Sequence, residues 1–139
     1  MQKYIGTKIV QAEPAERDGR TGYKVLYPDG YESWSPSEAF EDAYRPAGGL
    51  PFGLAIEALK KGARVTRAGW NGKGMYLFMI GVPGSNDFWT YTNGKNDNLP
   101  LLPFIAMKTA DDHVVPWLAS QTDMLADDWG IVDTAPAAE

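Results

Sequence analysis

The run Arg45-Pro-Ala-Gly-Gly-Leu-Pro51 limits the fold more than any other stretch, because its prolines and glycines support neither helical nor strand periodicity. A chain of 139 residues interrupted there leaves residues 1–46 on one side and roughly 80 residues on the other, and neither part can bury a deep core. We therefore expect an appendage at 1–46, a linker at 47–50, a domain at 51–133 and a disordered tail of small residues at 134–139. Cores this shallow favour self-association.

In the first segment Thr7 to Ala12 alternates as a strand, and the polar stretch Glu13 to Thr21 breaks it. Tyr23 to Tyr27 resumes strand character, Pro28-Asp29-Gly30 makes a tight turn, and Tyr31 to Trp34 pairs back. Ser35-Pro36-Ser37-Glu38 has the composition of a capping box and predicts a short helix to about Tyr44. Tyr23, Tyr27, Tyr31 and Trp34 read either as an aromatic binding face or as packing beneath that helix, and the second reading is favoured.

In the second segment Phe52, Ala55, Ile56 and Leu59 share one stripe of a helix over Phe52 to Lys61, with Gly62 as its left-handed terminator. A short strand, Arg64 to Arg67, leads into the loop Ala-Gly-Trp-Asn-Gly-Lys-Gly74. Its glycines at 69, 72 and 74 let a ligand approach the main chain. Met75 to Val82 is continuously apolar, which predicts a strand covered on both faces by helices or another subunit. Pro83 to Asn98 reads as a long connection with Phe88, Trp89 and Tyr91. Pro103 to Thr109 and His113 to Trp117 form a hairpin about Ala110-Asp-Asp112. Ser120 to Asp123 repeats the capping-box pattern at the start of a short helix, and Trp129 to Val132 closes the chain as a strand. The fold class expected is α+β: an antiparallel sheet with one longer and one short helix, preceded by a small β-hairpin and helix.

Between Ala58 and Asn86 lie Lys60, Lys61, Arg64, Arg67 and Lys73 with no carboxylate, although the chain carries a net charge of -5. This local inversion of sign is the main physical hint of a site. The overall negative charge argues against general binding to duplex nucleic acid. Hydrophobic residues at 44% and charged residues at 22% are typical of a folded soluble protein, and no apolar run approaches the ~20 residues of a membrane span. With no cysteine there are no disulfides or thiolate metal sites, and a single histidine argues against His-based catalysis. The N-terminus lacks a signal-peptide pattern, so a cytoplasmic protein is expected. The acidic pairs Asp111/Asp112 and Asp127/Asp128 read as solvated turn chemistry rather than a metal site.

The blocks Phe52-Gly-Leu-Ala-Ile-Glu-Ala-Leu-Lys-Lys-Gly62, Val65-Thr-Arg-Ala-Gly-Trp-Asn-Gly-Lys-Gly-Met75, Ile105-Ala-Met-Lys-Thr-Ala-Asp111 and Val115-Pro-Trp-Leu-Ala-Ser-Gln-Thr-Asp-Met-Leu-Ala-Asp-Asp-Trp129 resemble a small domain widespread in phages and prophages. That domain includes the second Thoeris anti-defence family, the "sponge" proteins, and the likeness covers about residues 51–132. The resemblance implies a non-enzymatic, oligomeric phage protein, a dimer or tetramer, acting in the cytoplasm of the infected host. Such a protein sequesters, without cleaving it, the cyclic ADP-ribose signal (glycocyclic ADP-ribose) made by a TIR-domain defence protein and so blocks effector activation, and some members also capture cyclic oligonucleotides. No cofactor and no metal are expected. Typical members begin near Phe52, so residues 1–46 are a departure.

A cyclic ADP-ribose has an adenine to stack, phosphates to neutralise and hydroxyls to hydrogen-bond. Trp70 is the first candidate for stacking, with a core plug as the alternative. Asn71 suits ribose or adenine but also suits a turn; Arg67 and Lys73, with the amides of Gly72 and Gly74, suit the pyrophosphate but also a solvated basic edge. Gln121 and Thr122 can meet sugar or base edges, while Asp123 is either a capping residue or a hydroxyl acceptor. Trp117 is core or a second stacking wall, Trp129 is core, and Phe88 and Trp89 can close over a ligand. Two other functions compete: a protein–protein interaction module with no nucleotide ligand, and a nucleotide-processing hydrolase.

Overall fold

The computed structural model describes residues 1–71, 73–82, 90–92 and 98–132. The chain divides into two compact units, Met1–Pro46 and Ala47–Glu139.

In the first unit three antiparallel strands, β1 (Gln11–Pro14), β2 (Gly22–Leu26) and β3 (Glu32–Pro36), lie in chain order, and α1 (Ser37–Ala43) follows. The first strand begins later than its alternation predicts. Gln11 is already opposite Leu26, and the next residue of the partner, Tyr27, enters the turn that Gly30 closes with a positive φ of 89°, so residues 7–10 have no ladder to join. The polar stretch after β1 is itself a tight hairpin: Arg17 and Arg20 bridge, and Asp18 and Gly19 take φ of 52° and 78° between them. An Asp-Gly pair is suited to such a turn.

The expected capping box at Ser35 does not form. Ser35 is held in the β3 ladder opposite Tyr23, Pro36 becomes the N-cap, and the helix starts without a side-chain cap. The aromatic residues also divide between two faces of the sheet. Tyr23 stacks on Phe40 at 4.4 Å, and Phe40 on Tyr44 at 4.9 Å, so this set does pack with the helix. Trp34 is opposite Lys24 and so has the other parity; its indole lies against Gly22 and donates to the Ala15 carbonyl at 2.8 Å. Tyr31 is exposed.

The second unit opens with α2 (Phe52–Lys60), whose chain reverses at Gly62 with φ of 88°. Seven strands follow: β4 (Arg64–Arg67), β5 (Tyr76–Ile80), β6 (Thr90–Thr92), β7 (Asn98–Pro100), β8 (Phe104–Lys108), β9 (Val114–Pro116) and, after the single-turn helix α3 (Gln121–Met124), β10 (Trp129–Val132). The main sheet is antiparallel with order β10-β4-β5-β8-β9. The stretch expected as a long connection contains the small β6–β7 ribbon at its far end, and the tail at 134–139 lies outside the described residues. The fold is α+β.

The central strand β5 carries the apolar run, and alternation sends its side chains to two cores. Leu77 joins Ala55, Ala58 and Leu59 of the helix, Val65, Trp129 and Leu50 on one face, while Phe78 and Ile80 are buried with Ala106 on the other. Among the described residues the first face holds seven buried apolar residues, three of them from α2, against three on the second, so it buries the larger apolar core. The segment expected as a linker is hydrogen-bonded to β10. Leu50 exchanges both backbone bonds with Trp129, at 2.7 and 3.1 Å, and Ile131 donates to Ala47 at 2.8 Å. This pairing follows from burying Leu50, and it covers that edge of the sheet. The opposite edge, β9, leaves Val114 and Val115 exposed.

Candidate functional site

The glycine-dense loop between β4 and β5 is tied at both ends. The Thr66 hydroxyl donates to the Met75 carbonyl at 2.8 Å, closing the neck. The amides of Ala68 and Gly69 donate to the backbone oxygen and the carboxylate of Asp128, at 3.1 and 2.8 Å. A Cβ at Gly69 would stand 3.0 Å from that carboxylate, so the close approach depends on glycine. At the far side Gly74, with φ of 72°, offers its carbonyl to the Lys108 ammonium at 3.0 Å.

At the root of the loop Arg67 bridges two carboxylates. Its Nε donates to Asp128 Oδ1 at 2.8 Å and its Nη1 to Asp123 Oδ1 at 2.9 Å. Asp123 is also the capping residue of α3: its Oδ2 accepts from the Ser120 hydroxyl and amide, at 2.8 and 3.2 Å, while the Ser120 hydroxyl accepts from the Asp123 amide. The second expected capping box is therefore formed. Burial pushes the Asp123 carboxyl up, but its bonds from Ser120, Arg67 and Trp70 outweigh that and leave it below the ordinary carboxylate value. The Arg67 hydrogen bonds hold Asp128 down in the same way, and those two carboxylates raise Arg67.

Trp70 is half-buried and belongs to a ring cluster under α2. It meets Trp129 edge-on at 5.4 Å and Trp117 at 6.5 Å, and Phe52 lies 5.4 Å from Trp129. Its Nε1 points at Asp123 Oδ1, 3.4 Å away. Trp129 is sealed, with its Nε1 donating to the Asp123 carbonyl at 2.9 Å, whereas Trp117 is half-buried. The reading of Trp129 as core holds.

Asn71 and Lys73 are exposed on the loop, and among the described residues neither side chain has a hydrogen-bond or ion-pair partner. Gln121 and Thr122 are exposed on α3, Thr122 sharing a hydrogen bond of 2.9 Å with Ser120. Phe88, Trp89 and Gly72 lie outside the described residues. Arg67, Trp70 and Asp123 are thus brought into direct contact, Trp117 packs beside them, and Asn71, Lys73, Gln121 and Thr122 extend from the two arms that this cluster joins.

The basic run is partly neutralised in space. Arg67 faces two acids, Lys60 pairs with Glu57 at 3.7 Å, and Arg64 lies over the Tyr76 ring at 4.7 Å. Sequence reasoning missed Asp128, which it grouped with Asp127 as a solvated turn. No local signal could reveal a partner 61 residues away. The other acidic pair is turn chemistry: Asp111 accepts from the Thr109 hydroxyl and pairs with His113 at 3.2 Å, and Asp112 pairs with Lys108 at 2.6 Å.

Comparison with known proteins covers this whole arrangement. Residues 50–132 match the model of the Thoeris anti-defense 2-like domain. The chain belongs to that family. It is also 43% identical over 84 residues to the protein named Thoeris anti-defense 2 from Bacillus phage SP01, a span covering 60% of this chain and 94% of that protein. The Thoeris anti-defense 2-like domain therefore holds α2, the five-stranded sheet, the glycine loop and α3, and residues 1–46 fall outside it. Chemically its exposed arms present a carboxamide and an ammonium on one side and a carboxamide and a hydroxyl on the other, donors suited to a polar, anionic ligand.

Proposed function

We propose that this chain counters a Thoeris defence in an infected bacterium by binding a cyclic nucleotide signal of the cyclic ADP-ribose type and holding it without breaking a bond. Membership of the anti-defense family carries this reading, since the match spans the loop, the ring cluster and α3 together. In this account the accessible part of Trp70 stacks the base, with Trp117 as a second wall, and Asn71 bonds ribose or adenine. Lys73, exposed and unpaired among the described residues, meets a phosphate. Gln121 and Thr122 meet sugar or base edges.

A trap must outcompete a cellular receptor, which calls for nanomolar affinity, about -12 kcal/mol. Burial between subunits supplies that more readily than one shallow domain does. The exposed Val114 and Val115 on the sheet edge, with Leu118 and Leu125, favour a homo-oligomer, a dimer or tetramer. Calorimetric titration with a panel of cyclic nucleotides tests the proposal: saturable heat with at least one member supports it, and silence with all of them points to a protein–protein interaction module.

A further inference from the structure

Resting on that reading, we propose that Arg67 is a positioning residue: it sets the distance between the glycine loop and α3 and does not itself touch the nucleotide. The guanidinium is committed on two sides, through Nε and Nη2 to Asp128, at 2.8 and 3.5 Å, and through Nη1 to Asp123 at 2.9 Å. Its side chain is only 18% exposed. One positive charge faces two negative ones, so the cluster is net anionic and repels a phosphate.

Each carboxylate passes the constraint on to one arm. Asp128 Oδ2 accepts from the Gly69 amide at 2.8 Å and so holds the loop that carries Trp70, Asn71 and Lys73. Asp123 uses Oδ1 for Arg67 and the Trp70 indole, and Oδ2 for the Ser120 amide and hydroxyl. Those four donors fill its acceptor positions, so it too is structural and holds the start of α3, which carries Gln121 and Thr122. A planar fork can satisfy both acids at once, which a lysine ammonium on a flexible stem cannot do with the same geometry.

If Arg67 were a phosphate contact, removing the competing charge with Asp128→Asn would free it and tighten nucleotide binding. If Arg67 is a positioning residue, the same change weakens binding, because an asparagine NH2 must face either the Gly69 amide or the guanidinium, and both are donors.

The test measures two quantities on wild type, Asp128→Asn and Arg67→Lys: affinity for glycocyclic ADP-ribose, and amide hydrogen exchange without ligand. We expect both variants to bind about ten-fold more weakly or worse, the size of one lost charge-assisted hydrogen bond. Exchange at Gly69, or at the α3 amides of Met124 and Leu125, should accelerate about ten-fold while the β5 amides keep their protection, which shows that the core remains folded. Unchanged or tighter binding by Asp128→Asn, or wild-type affinity of Arg67→Lys, overturns the proposal. If wild type binds no nucleotide, the sequestration reading fails and exchange still decides: local acceleration at Gly69 or at the α3 amides of Met124 and Leu125 upholds Arg67 as a spacer of the two arms, and unchanged exchange at all three overturns it.

Discussion

Replacing Trp70 with alanine separates the two roles open to its indole. Deleting a fully buried aromatic costs about 3–5 kcal/mol, the range expected for Trp129→Ala, whose ring is completely sealed. Trp70 is half-buried and meets the cluster through its edge, at 5.4 Å from Trp129 and 6.5 Å from Trp117, so about 2 kcal/mol is expected. In a unit of this size that lowers the melting temperature by roughly 8–16 °C, leaving a folded protein at room temperature. Its accessible face carries the functional part. Loss of base stacking removes about 1–3 kcal/mol of binding energy, a decrease of roughly 5- to 150-fold in affinity. Urea denaturation and nucleotide titration on the same preparation measure both. A stability loss equal to that of Trp129→Ala, with affinity untouched, would show that Trp70 is a core plug and refute the stacking assignment.

Lys73→Glu should leave the urea midpoint unchanged, because the residue is exposed and unpaired among the described residues, but weaken nucleotide binding about ten-fold with a reduced salt dependence. Gly69→Ala places a Cβ 3.0 Å from the Asp128 carboxylate, so that group must yield and loosen its bond to the loop; a loss of about 1 kcal/mol is expected in denaturant titration. Asp123 and Asp128 have folded values below their unfolded ones, so their contribution is complete above an unfolded pKa of about 4 and disappears as pH falls through the folded values. The urea midpoint should therefore decline below about pH 4, and less steeply in Asp128→Asn; a parallel decline in both proteins contradicts the clasp's part in acid stability.

What could be read from the sequence was whatever local spacing determines. The stripe of Phe52, Ala55, Ile56 and Leu59 marks α2, Gly62 marks its end, Ser120 with Asp123 marks α3, and the apolar run marks the doubly buried β5. Ser35 shows where local rules fail. Its capping pattern is sound, but pairing with Tyr23 is stronger than a side-chain bond to a short helix. Trp34 likewise takes its face from the register of β3 on β2, which depends on where the turn at Gly30 ends. The candidate site was half legible. The loop, Trp70 and the two exposed arms follow from glycine spacing and capping residues, whereas the union of Arg67 with Asp128 spans 61 positions and exists only once β10 lies beside β4.

The most direct measurement of the central claim is recovery of the signal after capture. Glycocyclic ADP-ribose incubated with excess protein should vanish from the filtrate, then return chemically intact when the protein is denatured by heat. A released product of different mass or retention contradicts sequestration, and so does a filtrate that keeps this nucleotide and every other member of the panel free.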